Sequence, residues 1–249
     1  MAAAVALGRD FEFKMDRPEA CPTGLAEVDA LAGGLPQGCL TEVYGPASSG
    51  RTSLMLAAMA QSTGRENVCA LVDASDAFDP ASAAAAGVLL ERLLWVRCGG
   101  NAEHALKAAD LLVQGGGFGM VVMDLADTPA ATARRISMTS WFRLRRAVEH
   151  TPTVLLVVEQ QPHAKTCASL TLEMRRAQAA WSGAPGAPSC SRLLRGIRVH
   201  VDRRKPVPAI TASFESPWTD CGAANLGRSR LSGGFQARKN CPSISRKPR

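Results

Sequence analysis

The feature that most constrains the fold is a regular alternation of short apolar segments, rich in β-branched residues, with segments of helical length. Two apolar segments, at 119–127 and 153–161, contain the nearly unbroken runs VVM and VLLVV. Such runs are typical of strands that are covered on both faces, as in parallel sheets. The alternation therefore predicts βαβ units with right-handed crossovers, that is, an α/β domain.

The last two apolar segments are joined only by RKPVP, which is too short for a crossover, so we expect them to form an antiparallel hairpin. The predicted fold is thus a mostly parallel central sheet, flanked by helices, with an antiparallel C-terminal hairpin. The predicted strands lie at 39–45, 67–75, 93–98, 119–127, 153–161, 196–204 and 209–216, and the predicted helices at 52–63, 80–91, 102–114, 131–149 and 165–181.

The length of 249 residues suits one substantial core with a tail. We expect an N-terminal arm at 1–19, one domain at 20–217 and a disordered basic tail at 218–249. Residues 220–249 carry seven basic residues and one acidic residue, with little to bury. Such a tail could neutralise nucleic-acid phosphates, could only add solubility, or could reflect a misread frame at the end of the gene.

The eight cysteines include no C-x-x-C pair, which argues against structural zinc and favours free thiols in a reducing cytoplasm. The sequence contains no segment typical of a signal peptide and no apolar run long enough for a membrane span. We therefore expect a cytoplasmic protein without a membrane partner.

The strand at 39–45 leads directly into Gly45-Pro-Ala-Ser-Ser-Gly50-Arg51-Thr52, followed by an apolar helix. This is the phosphate-binding pattern G-x-x-x-x-G-K-[ST] with arginine in place of lysine. Backbone amides of such a loop, with the helix N-terminus behind them, can hold an anion. The alternative is a preserved turn that binds no nucleotide, because the planar guanidinium cannot occupy the place of an ammonium group.

Further segments occur in the order found in the RecA superfamily, which the chain resembles over about 23–216: the lead-in at 23–38, the segment at 69–80, the apolar strand ending in Asp124, and the strand end Val157-Val-Glu-Gln160. The resemblance implies ATP and Mg²⁺ as cofactors, with Thr52 and Asp124 as magnesium ligands. It implies nucleotide contacts from Gly45, Ser48, Ser49, Gly50, Arg51, Thr52, Ser53, Asp79 and Gln160.

The chain departs from the family at three functional positions. Arg51 replaces the lysine, Ser75 replaces the catalytic glutamate, and the residue that stacks on adenine falls near Ser82. A hydroxyl cannot act as a carboxylate base, and Asp76 would point to the opposite face of an extended strand. We therefore expect impaired or absent ATP hydrolysis.

The segment from 128 to 148 has no acidic residue and five arginines, with Trp141 and Phe142 among them. Arginines mixed with aromatics can bind single-stranded DNA through phosphates and stacking, and the RecA resemblance places a DNA-contacting loop here. The alternative is a helix that buries Met138, Trp141 and Leu144 and leaves its arginines in solvent. The arginines are Arg134, Arg135, Arg143, Arg145 and Arg146.

In the predicted helix at 165–181, apolar residues recur at spacings of three and four, which indicates one buried stripe. Arg175 and Arg176 would then face outward with Glu173 and Gln178, as a surface for a protein partner or for DNA. The stripe comprises Cys167, Leu170, Met174, Ala177 and Trp181.

The C-terminal half, through the succession SL-L-E-RR, LLRG and RRKP, is similar to ImuA, a RecA-related family. This resemblance implies an accessory role in SOS translesion synthesis, with an ImuB-like protein and a DnaE-type polymerase as partners. Two alternatives stay open: an ATP-dependent DNA recombinase with RecA activity, and a cell-division inhibitor similar to SulA. The sequence also leaves a homo-oligomer open.

Overall fold

The computed structural model describes residues 19–182 and 192–217. Eight strands form one sheet in the order β10-β9-β8-β3-β7-β6-β4-β5, and β1 and β2 form a separate two-stranded sheet. The strands are β1 (Ala20–Cys21), β2 (Leu35–Pro36), β3 (Cys39–Tyr44), β4 (Cys69–Asp73), β5 (Leu93–Arg97), β6 (Met120–Asp124), β7 (Val154–Glu159), β8 (Leu170–Trp181), β9 (Leu194–Lys205) and β10 (Ile210–Pro217).

Six α-helices connect and cover these strands: α1 (Ala26–Ala32), α2 (Arg51–Gly64), α3 (Pro80–Ala85), α4 (Ala102–Gly115), α5 (Ala130–Ala133) and α6 (Met138–Val148). Short 3₁₀ helices lie at Leu90–Arg92 and Lys165–Cys167. The predicted arm up to residue 18, the glycine- and proline-rich loop from 183 to 191, and the predicted basic tail from 218 lie outside the described residues.

Pairing in the large sheet is parallel from β5 to β8 and antiparallel from β8 to β10. This confirms the predicted mostly parallel α/β sheet with an antiparallel C-terminal hairpin. The strands β4 and β7 are buried at every position, as their unbroken apolar sequences predict. No helix in the described part of the chain is both long and apolar enough to cross a bilayer.

The sheet separates two apolar cores. On one face, α2 packs Leu54 and Met59 against strand residues such as Val122. On the other face, α4 and α6 pack against residues such as Leu155, with Trp141 completely buried between them. Both cores therefore depend on strands that contribute apolar side chains alternately to the two faces.

The predicted helix at 131–149 is two helices. Ser137 interrupts it with an extended backbone, and its hydroxyl accepts a hydrogen bond from the amide of Ser140 at 3.2 Å. A serine in this position is a favoured helix N-cap, since it satisfies an amide that has no acceptor within the helix. The break separates α5 from α6.

The predicted helix at 165–181 is wrong, because residues from Leu170 onward form the long strand β8. The buried side chains Leu170, Leu172 and Met174 recur every second residue, as on one face of a strand. Ala177 and Trp181, which belong to the predicted apolar stripe of the helix, are exposed. The backbone of β8 pairs with β3 in parallel on one side and with β9 in antiparallel on the other. This strand pairing outweighs the helical spacing of the apolar residues.

The strands β8 and β9 extend beyond β3. Pairing between β3 and β8 ends at Tyr44 and Glu173, whereas β8 continues to pair with β9 as far as Trp181 and Leu194. We call the projecting part, residues 174–181 of β8 and 194–201 of β9, the overhang. It lies beside the glycine-rich loop that follows β3.

Candidate nucleotide-binding site

The loop from Gly45 to Gly50 joins β3 to α2 in the strand–loop–helix order that the sequence predicts. Gly50 has φ +91° and Ser48 has φ +58°, so the chain passes twice through the left-handed region before α2 begins at Arg51. The first intrahelical bond runs from the amide of Leu54 to the carbonyl of Gly50 at 3.0 Å. The earlier amides of the first turn have no acceptor within the helix and are available to an anion.

Two glycines of this loop are in close contact with the overhang. A Cβ added to Gly45 would overlap the carbonyl oxygen of Met174, and one added to Gly50 would lie 2.7 Å from Cγ2 of Val199. Packing therefore requires glycine at both positions, and at Gly50 the left-handed backbone requires it as well.

A cavity of about 370 Å³ opens between the loop and the overhang. This volume falls in the range of small-molecule sites. The predicted contacts Ser48, Ser49, Gly50, Arg51, Thr52 and Ser53 line one wall, and Arg176, Ala179, Trp181, Leu194, Gly196, Ile197 and Ser216 line the remainder. The hairpin wall was not predicted, because its strand β8 was taken for a helix.

Arg51 is almost completely buried, with 6% of its surface exposed, and its Nη1 atom has no hydrogen-bond partner among the described residues. Burial lowers the pKa of this guanidinium, and the negative charges of Asp124 and Asp127 partly oppose that effect. A buried donor without an acceptor costs about 1–3 kcal/mol. The site therefore presents an unsatisfied cation at the start of α2.

Asp124 ends β6, and its Oδ1 atom accepts a hydrogen bond from the amide of Ala126 at 2.9 Å. Burial raises the pKa of Asp124 to about 6; the Ala126 amide opposes this shift, and the neighbouring charges of Asp73 and Asp127 add to it. Within residues 19–182 and 192–217, no group of three or more His, Cys, Asp and Glu side chains could hold a metal ion.

Two other predicted site residues, Gln160 and Asp79, have roles within the fold. Gln160 donates from Nε2 to the carbonyl of Ala126 at 2.9 Å, which ties the end of β7 to the loop after β6. Asp79 caps α3 by accepting from the amides of Ala81 and Ser82. Neither Asp79 nor Gln160 lines the cavity beside Arg51.

Ser75, at the position of the expected glutamate, has its hydroxyl 3.5 Å from that of Thr128. The two nearest carboxylates are engaged elsewhere. Asp76 forms an ion pair with Arg97 at 3.1 Å. Asp73 accepts from the amides of Ser75, Ala77 and Phe78 and from the indole of Trp95.

A buried acidic pair, missed by the sequence analysis, lies behind the loop. The carboxyl groups of Glu42 and Glu159, on the adjacent strands β3 and β7, both accept from the amide of His163, at 2.7 Å and 3.3 Å. The amides of His163 and Ala164 both donate to Oε1 of Glu42 at 2.7 Å, and Nδ1 of His163 lies 2.7 Å from Oε2 of Glu159. The only sequence signal was a single glutamate inside each of two apolar runs.

Burial raises the pKa of Glu42 to about 8, and the hydrogen bond and charge of Glu159 add to this shift. Burial also raises the pKa of Glu159 to about 6, although the hydrogen bond from Glu42 opposes it. Glu42 therefore retains its proton to a higher pH than Glu159. This pair fixes the segment after β7 that carries Gln160.

The arginines predicted for DNA are on the surface around α6, and several have partners. Arg143 pairs with Asp110 at 3.3 Å, Arg145 pairs with Glu149 at 3.0 Å, and Arg134 donates to Gln161 at 3.0 Å. Arg135 and Arg146 are exposed.

The apolar residues of α6 divide between core and solvent. Trp141 and Leu144 are buried and Met138 packs partly against the same core, as the structural alternative predicts, whereas Phe142 is 46% exposed. Phe142 and Arg146 are one turn apart on the exposed side of the helix.

Arg175 and Arg176 are both exposed on the strand β8 rather than on the predicted helix, and both line a surface cavity with His200 and Asp202. Arg175 forms an ion pair with Asp202 and lies 3.7 Å from a carboxylate oxygen of Glu173. Arg176 also lines the cavity opposite the loop. The helix prediction is wrong here because β8 is a strand, in which consecutive side chains point to opposite faces, and Arg176 is on the face beside the loop.

A family model described as RecA N-terminal domain matches residues 2–136 of this chain. The curated relatives include Protein RecA of Prochlorococcus marinus strain MIT 9303 and Protein RecA of strain MIT 9313, each 47% identical over 109 residues. These matches cover 43% of this chain and 28% of each relative, so the chain spans less than a third of the relatives' length. Together with the phosphate-loop geometry and the parallel sheet, the match over more than half of the chain shows that this protein belongs to the RecA N-terminal domain family.

Proposed function

We propose that this protein is a RecA-like accessory protein of DNA repair, similar to ImuA, that acts in SOS translesion synthesis with impaired or absent ATP hydrolysis. The observation that carries the proposal is the absence of an available base at the end of β4 within the described residues. Ser75 offers only a hydroxyl, and the carboxylates of Asp73 and Asp76 are taken up by backbone amides, Trp95 and Arg97. Loss of a general base costs about 10²–10⁴ in rate.

The residues at the loop fit a phosphate group. The buried Nη1 atom of Arg51 lacks an acceptor among the described residues, and the first amides of α2 have no acceptor within the helix. A phosphate oxygen would satisfy both, since arginine binds phosphates through charge-assisted hydrogen bonds. We therefore assign nucleotide phosphates, such as those of ATP, to the loop residues 45–53. We keep Asp79 and Gln160 as candidate nucleotide contacts outside the cavity.

The fit to Mg²⁺ is poor. Thr52 and Asp124 are the two candidate ligands, and the positive charge of Arg51 acts on Asp124 where the ion would have to bind. A divalent cation would therefore be repelled by a guanidinium that is already present. No step of the proposed function requires the metal.

The exposed side of α6 is the proposed surface for single-stranded DNA or for a polymerase partner. It combines the phenyl ring of Phe142 with the guanidinium groups of Arg143 and Arg146, a combination suited to stacking and to phosphate contacts. The proposed domain at 20–217 would carry this surface, and the basic residues of 218–249 would add phosphate contacts. The proposed protein partners are an ImuB-like protein, a DnaE-type polymerase and further copies of this chain.

The test combines an ATPase assay with capture of an ImuB-like protein. We expect no DNA-stimulated turnover, together with direct binding to the ImuB-like protein. Turnover near 1 s⁻¹, a low but ordinary enzyme rate, accompanied by DNA strand pairing, would contradict the accessory role and favour a recombinase. Selective binding to a tubulin-like division protein would favour the alternative of a cell-division inhibitor.

A further inference from the structure

We propose that the cavity between the glycine-rich loop and the overhang binds a nucleoside polyphosphate without a divalent cation, with Arg51 and Arg176 holding the phosphates and Trp181 beside the base. The inference rests on the proposed assignment of nucleotide phosphates to the loop. It adds the source of positive charge, the wall that contacts the base, and the independence from Mg²⁺.

Arg51 places a positive charge in the wall of the cavity. Arg51 begins α2, is buried, and has the carboxylates of Asp124 and Asp127 within electrostatic range. In this position the positive charge of the guanidinium balances the negative charge of Asp124, a role that a bound metal ion would otherwise have. Because it cannot lose its proton in a protein, the compensation is permanent.

The same guanidinium has a hydrogen-bond donor that the described residues do not satisfy. Nη1 of Arg51 is buried without a hydrogen-bond partner in the part of the chain that the structure describes. A phosphate oxygen in the cavity would accept from it and from the first amides of α2 at the same time. An additional metal ion would compete with both groups for the same phosphate oxygens.

The opposite wall of the cavity contributes a second arginine, Arg176. Arg176 lies on β8 opposite Val199, whose side chain covers Gly50, so strand pairing holds this arginine over the loop. Its neighbour Arg175 is the residue that pairs with Asp202, and Arg176 is left to line the cavity. Two guanidinium groups therefore face the phosphate region from opposite sides.

The hairpin wall of the cavity also has an aromatic side chain that can contact the base, Trp181. Trp181 is 51% exposed at the end of β8 and lines the cavity with the apolar side chains of Leu194 and Ile197. Stacking of a base on an exposed aromatic contributes about 1–3 kcal/mol by alanine substitution. Ser82 has no ring at the position where the family stacks adenine, and the hairpin provides an aromatic surface instead.

The experiment is calorimetric titration of the full chain with ATP, once in EDTA and once in excess MgCl₂. We expect the affinity in EDTA to equal or exceed that in MgCl₂, and we expect Arg51→Lys to reverse the order, because the smaller ammonium group leaves room for the ion. Binding that is tenfold or more tighter in MgCl₂ would overturn the inference while leaving nucleotide binding intact. Absence of binding in both buffers would contradict the phosphate assignment itself.

Variants of the hairpin test the two walls. Arg176→Gln is expected to weaken ATP binding in EDTA by about tenfold, the size of one charge-assisted hydrogen bond. The matched control is Arg198→Gln on the neighbouring strand, whose partner is Glu215 at 2.6 Å, and it should leave the affinity unchanged. Equal effects of the two variants would contradict a contact between Arg176 and the nucleotide.

The base contact is tested with two ligands. Trp181→Ala should lower the affinity for ATP and leave the affinity for inorganic triphosphate unchanged. An unchanged affinity for ATP would overturn the placement of the base. Thermal unfolding of each variant separates a lost contact from a lost fold.

Discussion

Gly50 and Val199 are in direct contact, and there is no room between them for a single additional carbon atom. A Cβ on Gly50 would lie 2.7 Å from Cγ2 of Val199. The loop before α2 and the strand β9 are therefore packed as one unit, although nearly 150 residues separate them in the chain. Any change in the conformation of the loop must be accommodated by the overhang.

This contact predicts a large effect of Gly50→Ala on stability. The substitution combines a left-handed backbone, at φ +91°, with a clash against Val199, and we expect a loss of about 1–3 kcal/mol in the free energy of unfolding. Gly64→Ala at the other end of α2 is the matched control, because its Cβ would meet no atom within 4 Å. Urea denaturation of both variants measures the difference, and equal stabilities would contradict the close packing.

A second prediction concerns the missing catalytic groups. Arg51→Lys alone should not produce ATP turnover, because Ser75 still supplies no carboxylate. Arg51→Lys combined with Ser75→Glu should raise turnover above that of either single variant, since the two groups act as a unit. Phosphate release in the presence of single-stranded DNA is the measurement. Turnover by Arg51→Lys alone would show that another residue acts as the base.

The buried pair Glu42 and Glu159 predicts a stability that depends on pH. The pKa of Glu42 is raised to about 8 in the folded chain by burial, so between its unfolded value and about 8 the folded state binds more protons. The free energy of unfolding should therefore decrease as the pH rises from about 5 to 8, and each pKa unit corresponds to about 1.4 kcal/mol. The raised pKa of Asp124 acts in the same direction.

Glu42→Gln isolates this effect. The amide retains an oxygen that can accept from the amides of His163 and Ala164, and its NH₂ group can donate to Glu159. Burial lowers the pKa of His163 and gives a slope of the opposite sign, but His163 is present in both proteins. Urea denaturation at pH 5, 6.5 and 8 should show a flatter profile for Glu42→Gln. Parallel profiles would mean that Glu42 is not the group that titrates.

A fourth prediction concerns binding of single-stranded DNA by α6. Arg143→Gln with Arg146→Gln should weaken binding and reduce the slope of log affinity against log salt by about 1.4, since each phosphate contact on a single strand contributes about 0.7. Phe142→Ala should weaken binding without changing that slope, because stacking releases no counterions. The control is Arg92→Gln, because Arg92 is on another surface and donates to the carbonyl of Glu66.

Deletion of residues 220–249 tests the tail in the same assay. A reduced slope would assign phosphate contacts to it, and an unchanged slope would limit it to solubility. If neither the deletion nor the α6 variants change the affinity, the proposal of a DNA-binding surface is wrong.

The parallel part of the sheet could be predicted because its strands are covered on both faces. A short run such as VLLVV, rich in β-branched residues, is typical of a strand buried on both faces, and the segments between such runs have the length of a helix. The glycine-rich loop could be predicted for a different reason, namely that its spacing reflects a backbone conformation rather than a packing pattern.

The strand β8 could not be predicted because the apolar residues of its first half fit both the helical period and the strand period. Leu170 and Met174 are four residues apart, which fits one side of a helix and also one face of a strand. Partners distant in the chain decide between them, since β3 and β9 take up the backbone hydrogen bonds. The cavity wall at Arg176 and the separation of Arg175 from Arg176 depend on the same pairing.

The position of β7 in the sheet affects how the segment that matches the RecA N-terminal domain can fold. β7 lies between β3 and β6, and its pairs with them include Cys39↔Val154 and Met120↔Val154. The residues that match the RecA N-terminal domain end at 136, before β7 begins, so the matched segment contains both flanking strands without the strand that joins them. During synthesis, β3 and β6 therefore expose unpaired apolar edges until residues 154–159 emerge, and a chain cut before that point should aggregate rather than fold.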